Sequence, residues 1–69
     1  MEIKLDSQIT LKIDGHDHSV VYRVRFFTKK GNFYVQPYLN NPSGLVPQKE
    51  LKYVKPEEVA DTRECVRWP

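Results

Sequence analysis

The segment that most constrains the fold of this chain runs from residue 20 to residue 39 and reads VVYRVRFFTKKGNFYVQPYL. Apolar β-branched and aromatic residues alternate with polar residues on both sides of the sequence Lys-Lys-Gly-Asn. The pattern predicts two antiparallel strands joined by a tight turn. Gly31 fits such a turn because it adopts positive φ angles without a Cβ clash.

Two registers of this hairpin differ in the residues that share a face. A turn of two or four residues places apolar residues opposite one another, in the pairs Phe26–Val35, Val24–Pro37 and Tyr22–Leu39. A three-residue loop with a bulge pairs Phe26 with Tyr34 and Arg25 with Val35, which mixes apolar and polar residues on each face. We therefore expect the first register, with one face of the hairpin in the core.

In that register the other face of the hairpin carries cations and aromatic rings. The candidate binding residues on this face and in the turn are Arg23, Arg25, Phe27, Lys29, Lys30, Tyr34, Gln36 and Tyr38. Arg and Tyr are enriched at the energetic centres of protein interfaces. The same groups bind phosphates and stack bases on sheets that bind single-stranded nucleic acid. A third interpretation is that Val66 and Trp68 of the C-terminal segment pack on Phe27 and Tyr34.

The segment before the hairpin also alternates. Ile3, Leu5, Ile9, Leu11 and Ile13 recur at period two, which predicts a half-buried strand with an interruption near Asp6-Ser7. The polar residues 14–19 then form a loop or turn. We expect this strand to pair with the hairpin through its apolar residues, in the pairs Ile13–Val20, Leu11–Tyr22 and Ile9–Val24.

After the hairpin, turn-forming residues at 40–44 predict a loop that ends the strand. Residues 45–47 read as a short strand, 48–51 as a helical turn or bend, and 52–54 as a return to the sheet. Pro56 suits the first position of a short helix through Ala60, with Glu57 and Glu58 near its positive end. Residues 62–68 alternate again and favour a final strand, with Trp68 as an anchor.

Length and composition limit the classes of function. The 69 residues suffice for one domain, residues 1–69, of marginal stability, so a homodimer or a bound partner would stabilise it. The net charge of +2 is too small to indicate nucleic-acid binding by itself. One cysteine, Cys65, excludes an internal disulfide and suggests a reducing, cytoplasmic location. The sequence has neither a long apolar run nor a signal-peptide pattern, and we expect no membrane association.

No residue pattern indicates catalysis or a cofactor. His16 and His18 would need further ligands, such as Cys65 or Asp17, to hold zinc, and polar loop histidines are common. Cys65 has no evident base with an orienting group, as a nucleophile requires. Glu57 and Glu58 are adjacent and point in different directions. We therefore expect a protein that is not an enzyme and that has no metal site.

Residues 44–51, Gly-Leu-Val-Pro-Gln-Lys-Glu-Leu, resemble the late part of an SH3 domain, in which two apolar residues and a proline precede a one-turn 3₁₀ helix. Together with the long hairpin, this resemblance implies an SH3-like or Tudor-like barrel of five strands with an exposed binding groove. Glu50 lies in the region where the family has its peptide-binding tyrosine. Recognition of proline-rich peptides is therefore not implied.

These observations together predict a mainly β fold. We expect a strongly bent antiparallel sheet or small SH3-like barrel of about five strands, with at most one short helix near residues 56–61. The function that we expect is a binding module, a small regulator or inhibitor that acts by protein–protein interaction through the basic and aromatic face of residues 20–39. The alternative is nucleic-acid binding through the same face.

Overall fold

A computed structural model describes residues 3–15, 19–63 and 67–68. Two short 3₁₀ turns, at Lys12–Asp14 and Pro56–Glu58, accompany six strands. The strands are β1 (Gln8–Leu11), β2 (Val20–Phe27), β3 (Phe33–Asn41), β4 (Gly44–Pro47), β5 (Lys52–Val54) and β6 (Val59–Arg63). Within these residues no helix is long and apolar enough to cross a membrane.

The six strands form one antiparallel sheet with the order β4-β3-β2-β1-β6. Strand β5 pairs with the part of β3 that follows the hairpin turn, and β4 pairs with the end of β3. In the described parts of the chain β4 and β6 do not pair with each other, so the sheet is not closed. The expectation of a mainly β fold on a bent antiparallel sheet is confirmed, with six strands rather than about five.

One face of the sheet forms the hydrophobic core. The buried side chains of this cluster are Ile9, Leu11, Tyr22, Val24, Phe33, Val35, Val54 and Val59. They come from β1, β2, β3, β5 and β6, mostly at alternate positions, as expected for strands with one buried face. No second layer covers this face among the described residues. The sheet itself must therefore curve around the cluster.

The turn of the central hairpin has three residues, Lys29-Lys30-Gly31. The Thr28 N–H donates to the Asn32 carbonyl over 2.8 Å, and the Gly31 N–H donates to the Thr28 carbonyl over 3.2 Å. Gly31 has a φ of 82°, the left-handed conformation that such loops require. The expected turn of two or four residues was therefore wrong, and Phe26 lies opposite Tyr34 rather than Val35.

A second irregularity, at Arg25 in β2, explains how the core stays apolar in this register. The pairing shifts by one residue between Val24 and Phe26, so that Val24 lies opposite Val35 and Tyr22 opposite Pro37. A three-residue loop would mix apolar and polar residues on each face only if β2 were regular, and the bulge removes that conflict. The bulge at Arg25 reverses the alternation of β2, which sends Phe26 away from the core.

The first strand is shorter than predicted, and each of its paired residues lies opposite a β2 residue two positions earlier than predicted. Ile9 lies opposite Tyr22 rather than Val24. A shift of two residues keeps the same faces, so Ile9 and Leu11 are buried as expected. Ile13 does not pair with Val20, because it lies in the first 3₁₀ turn, where its side chain is 81% exposed.

Further boundaries differ from the predicted loops and helix. Strand β3 continues to Asn41, which pairs with Gly44, so the predicted loop at 40–44 is a turn of two residues. Residues 48–51 contain a bend and no helical turn, and residues 52–54 form β5 as predicted. The predicted helix is only the 3₁₀ turn Pro56–Glu58, and Ala60 already belongs to β6. The predicted strand at 62–68 overlaps β6 at its start, and residues 64–66 lie outside the described residues.

Candidate interaction face

The face of the sheet opposite the core, here called the outer face, holds most of the predicted binding residues. Cross-strand pairing places Arg23 beside Gln36, Tyr34 beside Phe26, and Tyr38 beside Val21. Tyr34 also pairs with Tyr53 of β5, whose neighbour Val54 is in the core. Paired residues share a face. Of the predicted set, Arg23, Tyr34, Gln36 and Tyr38 therefore lie together on the outer face.

The other predicted residues lie elsewhere. Phe27 pairs with the buried Phe33, with ring centroids 5.9 Å apart, so it borders the core and Phe26 takes its predicted place. Arg25 is the extra residue of the bulge in β2. Lys29 and Lys30 are exposed in the hairpin turn that joins β2 to β3. These differences follow from the bulge at Arg25 and the three-residue turn, because a prediction from strict alternation assumes a regular strand.

Three aromatic residues, Phe26, Tyr34 and Tyr53, form a row across β2, β3 and β5, called here the aromatic row. Their exposed fractions are 57%, 39% and 40%. The rings of Tyr34 and Tyr53 meet edge to face with centroids 5.2 Å apart. The Asn32 side-chain amide donates to the Tyr53 hydroxyl over 2.6 Å, which fixes the orientation of that ring. The row is therefore an ordered apolar surface in contact with solvent.

Arg23 is the central cation of the outer face, and its charge is already paired. Its Nε–H donates to Asp6 Oδ1 over 2.9 Å, and Nη1 donates to the Tyr38 hydroxyl over 3.2 Å. The hydrogen bond to Tyr38 first, and then the interaction with the Asp6 carboxylate, raise the pKa of Arg23 above its usual value. Arg23 therefore acts mainly as a structural link between β2, β3 and the turn before β1.

Trp68 covers the end of the outer face that holds Arg23. Its ring lies 4.6 Å from the Tyr38 ring and 5.4 Å from the Arg23 guanidinium carbon. Its Nε1–H donates to the Asp6 carbonyl over 2.7 Å. We call Asp6, Arg23, Tyr38 and Trp68 the Trp68 cluster. The interpretation that Trp68 anchors the C-terminal segment fits this geometry, but its contacts are Tyr38 and Arg23 rather than Phe27 and Tyr34. Val66 lies outside the described residues.

Asp6 holds the Trp68 cluster together from an unusual backbone conformation. Its φ is 66°, a value rare for residues other than glycine and best tolerated by Asn and Asp. This conformation lets the Asp6 N–H donate to the Val24 carbonyl over 2.8 Å, while its carboxylate meets Arg23 and its carbonyl meets Trp68. One residue thus joins the start of the chain to β2 and to the C-terminal segment.

Gln36 separates the Trp68 cluster from the aromatic row. Its side-chain amide donates to the Gln48 carbonyl over 3.0 Å, which ties the segment after β4 to the outer face. Beyond Arg23, the sheet continues with Gln8 of β1 and Arg63 of β6. A shallow depression of about 220 Å³ near these strands is lined by both Asp61 and Arg63. This depression combines charges of both signs and is smaller than the cavities of about 300 to 1,000 Å³ that usually hold small ligands.

Among the described residues, no group of three or more His, Cys, Asp or Glu side chains could hold a metal ion. His16, His18 and Cys65, which the metal and nucleophile hypotheses require, lie outside the described residues. Sequence reasoning missed Tyr53, Phe26 and Asp6. Tyr53 alone had a local signal, because it occupies the outward position of the strand predicted at 52–54.

Comparison of the chain with family models, with curated protein sequences and with solved structures finds no match. The resemblance to SH3-like and Tudor-like barrels therefore stays a prediction.

Proposed function

We propose that this protein is a non-enzymatic binding module, a small cytoplasmic regulator or inhibitor that contacts a protein partner through its outer face. The observation that supports this proposal is the aromatic row. Phe26, Tyr34 and Tyr53 are large rings, each exposed by more than a third, side by side on one sheet. Contiguous exposed apolar surface is typical of interaction sites, and aromatic residues dominate the energy of protein interfaces.

The pairing of Arg23 favours a protein partner over nucleic acid. A nucleic-acid surface needs several cations free to meet phosphates. Arg23, the most central cation of the outer face, is bound to Asp6 and packed against Trp68. Lys29 and Lys30 are exposed at the tip of the hairpin, three and four residues after Phe26. Aromatic rings with a few cations at the edge match the anatomy of a protein interface, with its apolar centre and polar rim.

The test is a comparison of partners captured by the wild-type chain and by two matched variants. Phe26→Ser/Tyr53→Ser removes two of the three rings of the aromatic row, whereas Leu5→Ser/Ile13→Ser removes two apolar side chains elsewhere that are at least as exposed. Each bait is used with and without nuclease, and each captured protein is then purified and titrated against the three chains. We expect a partner that survives nuclease, binds the wild type and the control variant directly, and loses affinity at least about 10-fold with the row variant.

Two results would contradict the proposal. Partners that disappear with nuclease, together with direct binding of single-stranded oligonucleotides that weakens steeply with salt, would establish the alternative function, nucleic-acid binding. Equal affinity of the purified partner for the wild type and the row variant would show that the aromatic row is not the site.

A further inference from the structure

We infer that the partner binds through an acidic segment that places an apolar side chain on the aromatic row and carboxylates against Lys29 and Lys30. This inference rests on the proposed function and specifies the chemistry of the partner.

The charge of the chain is strongly divided. Residues 18–49, which include β2, β3 and β4, contain no Asp or Glu, and their cations are Arg23, Arg25, Lys29, Lys30 and Lys49. All nine acidic residues lie outside this stretch. The central hairpin is therefore a positively charged surface in a protein of net charge +2. A partner segment with carboxylates is attracted to it, and one with lysines or arginines is repelled.

Lys29 and Lys30 are the cations best placed to bind such a segment. Both are exposed in the hairpin turn, directly after β2 and before β3, the strands that carry Phe26 and Tyr34. Across the described residues, the ion pair that the structure shows is Arg23–Asp6, so neither lysine is in an ion pair. Lys52, by contrast, pairs with Val35 and lies 6.0 Å from the Tyr22 ring, so its ammonium is on the core side of the sheet and not beside the aromatic row.

The dimensions of the aromatic row limit the length of the recognised segment. Three neighbouring strands span about 10 Å, which suits one or two apolar side chains of an extended peptide. Lys29 and Lys30 lie about three residues beyond Phe26 along the hairpin. Carboxylates about three residues from the apolar anchor would therefore reach the lysines in an extended segment.

A second copy of this chain does not fit the same surface. Two hairpins that met face to face would bring the cations of residues 18–49 against an identical set, and Asp6, an acidic residue on this face, is already paired with Arg23. Like charges placed opposite one another at an interface are destabilising. The homodimer expected as one way to stabilise so small a chain would therefore need another surface.

The experiment is a selection of short random peptides displayed on phage. Peptides are selected on the wild-type chain and depleted on Phe26→Ser/Tyr34→Ser, whose folding is checked by circular dichroism. We expect the remaining peptides to carry one or two aromatic or aliphatic residues flanked by Asp and Glu. Synthetic copies are then titrated against Lys29→Gln/Lys30→Gln and against a control of equal charge change, Lys4→Gln/Lys12→Gln, which alters two exposed lysines before β2.

The expected result is a loss of affinity of about 3- to 20-fold with the turn variant and less than about 2-fold with the control, because exposed ion pairs contribute modestly. Row-dependent peptides that are neutral or basic, or equal effects of the two lysine variants, would overturn the acidic partner and leave the proposed function standing. If no peptide depends on the row while oligothymidylate binds the chain, both the inference and the proposed function are wrong.

Discussion

Tyr22 combines a buried ring with a hydrogen bond to a charged group. Its side chain is 5% exposed within the core cluster, and its hydroxyl donates to Asp14 Oδ2 over 2.8 Å. Burial first, and then the hydrogen bond and negative charge of Asp14, raise the pKa of Tyr22 to about 12. The Lys52 ammonium, 6.0 Å from the ring, is the cation near this site. The neutral phenol is therefore part of the folded state.

This coupling predicts a loss of stability in alkali. Unfolding returns Tyr22 to a pKa of about 10, so its contribution is fully present below pH 10 and declines as the pH rises through 12. The shift corresponds to about 2 to 3 kcal/mol. Urea unfolding of the wild type and of Tyr22→Phe should show a steeper decline for the wild type in this range. Parallel curves for the two proteins would contradict the assignment, because lysine titration is common to both.

Trp68 provides an optical test of the Trp68 cluster. It is the single tryptophan of the chain, so its fluorescence reports its own environment. Trp68→Phe should destabilise the fold by about 0.5 to 1.5 kcal/mol in urea unfolding, because it keeps a ring on Tyr38 and loses the donor to the Asp6 carbonyl.

A second variant tests the contact of Trp68 with Arg23. Arg23→Met should make Trp68 more accessible to acrylamide, because the guanidinium no longer packs on the indole. Equal quenching in the folded wild type and in urea would show that Trp68 is not docked.

The central hairpin shows how far the sequence predicts an element. Alternation of β-branched and aromatic residues located β2 and β3, and it correctly placed Arg23, Tyr34, Gln36 and Tyr38 on one face. The predicted cross-strand pairs were wrong along the whole hairpin, and the predicted faces of β2 were wrong beyond Val24, because two chain irregularities, at Arg25 and in the turn, leave no mark in hydropathy. Residue type says which side chains prefer burial, whereas register depends on the hydrogen bonds of the whole sheet.

The ends of the chain were predictable only in part. Ile9 and Leu11 were placed in the core, since a pairing error of two residues preserves the face. Ile13 continued the same pattern and is exposed, because the chain leaves the strand at Leu11 for a 3₁₀ turn. The contact of Trp68 with Asp6 joins residues 62 positions apart, and no local pattern encodes such a contact.

The whole molecule is small, with a radius of gyration of 11.2 Å, close to the value of about 11 Å expected for a compact chain of this length. Chains of this size have a free energy of unfolding of about 3 to 10 kcal/mol. Single losses from the core are therefore a large fraction of the total, whereas losses from the exposed aromatic row are not.

Two phenylalanines test this contrast. Phe33→Ala should destabilise the protein by about 3 to 5 kcal/mol and leave much of it unfolded at room temperature, because Phe33 is 1% exposed. Phe26→Ala, at 57% exposure, should change the free energy of unfolding by less than about 1 kcal/mol. Thermal unfolding followed by circular dichroism compares the two variants. If Phe26→Ala destabilised the protein more than Phe33→Ala, Phe26 would belong to the core and not to an exposed aromatic row.

The bulge at Arg25 has a consequence for changes in chain length. Pairing proceeds from Val24–Val35 directly to Phe26–Tyr34, so a chain without Arg25 would form a regular ladder with every other side chain on its present face. Deletion of that one codon should leave a folded protein with the aromatic row intact, as an amide NMR spectrum would show. Deletion of Arg23, two positions earlier, would exchange the faces of half a strand and should abolish folding. Length variation in this hairpin should thus be tolerated at Arg25 and not at Arg23.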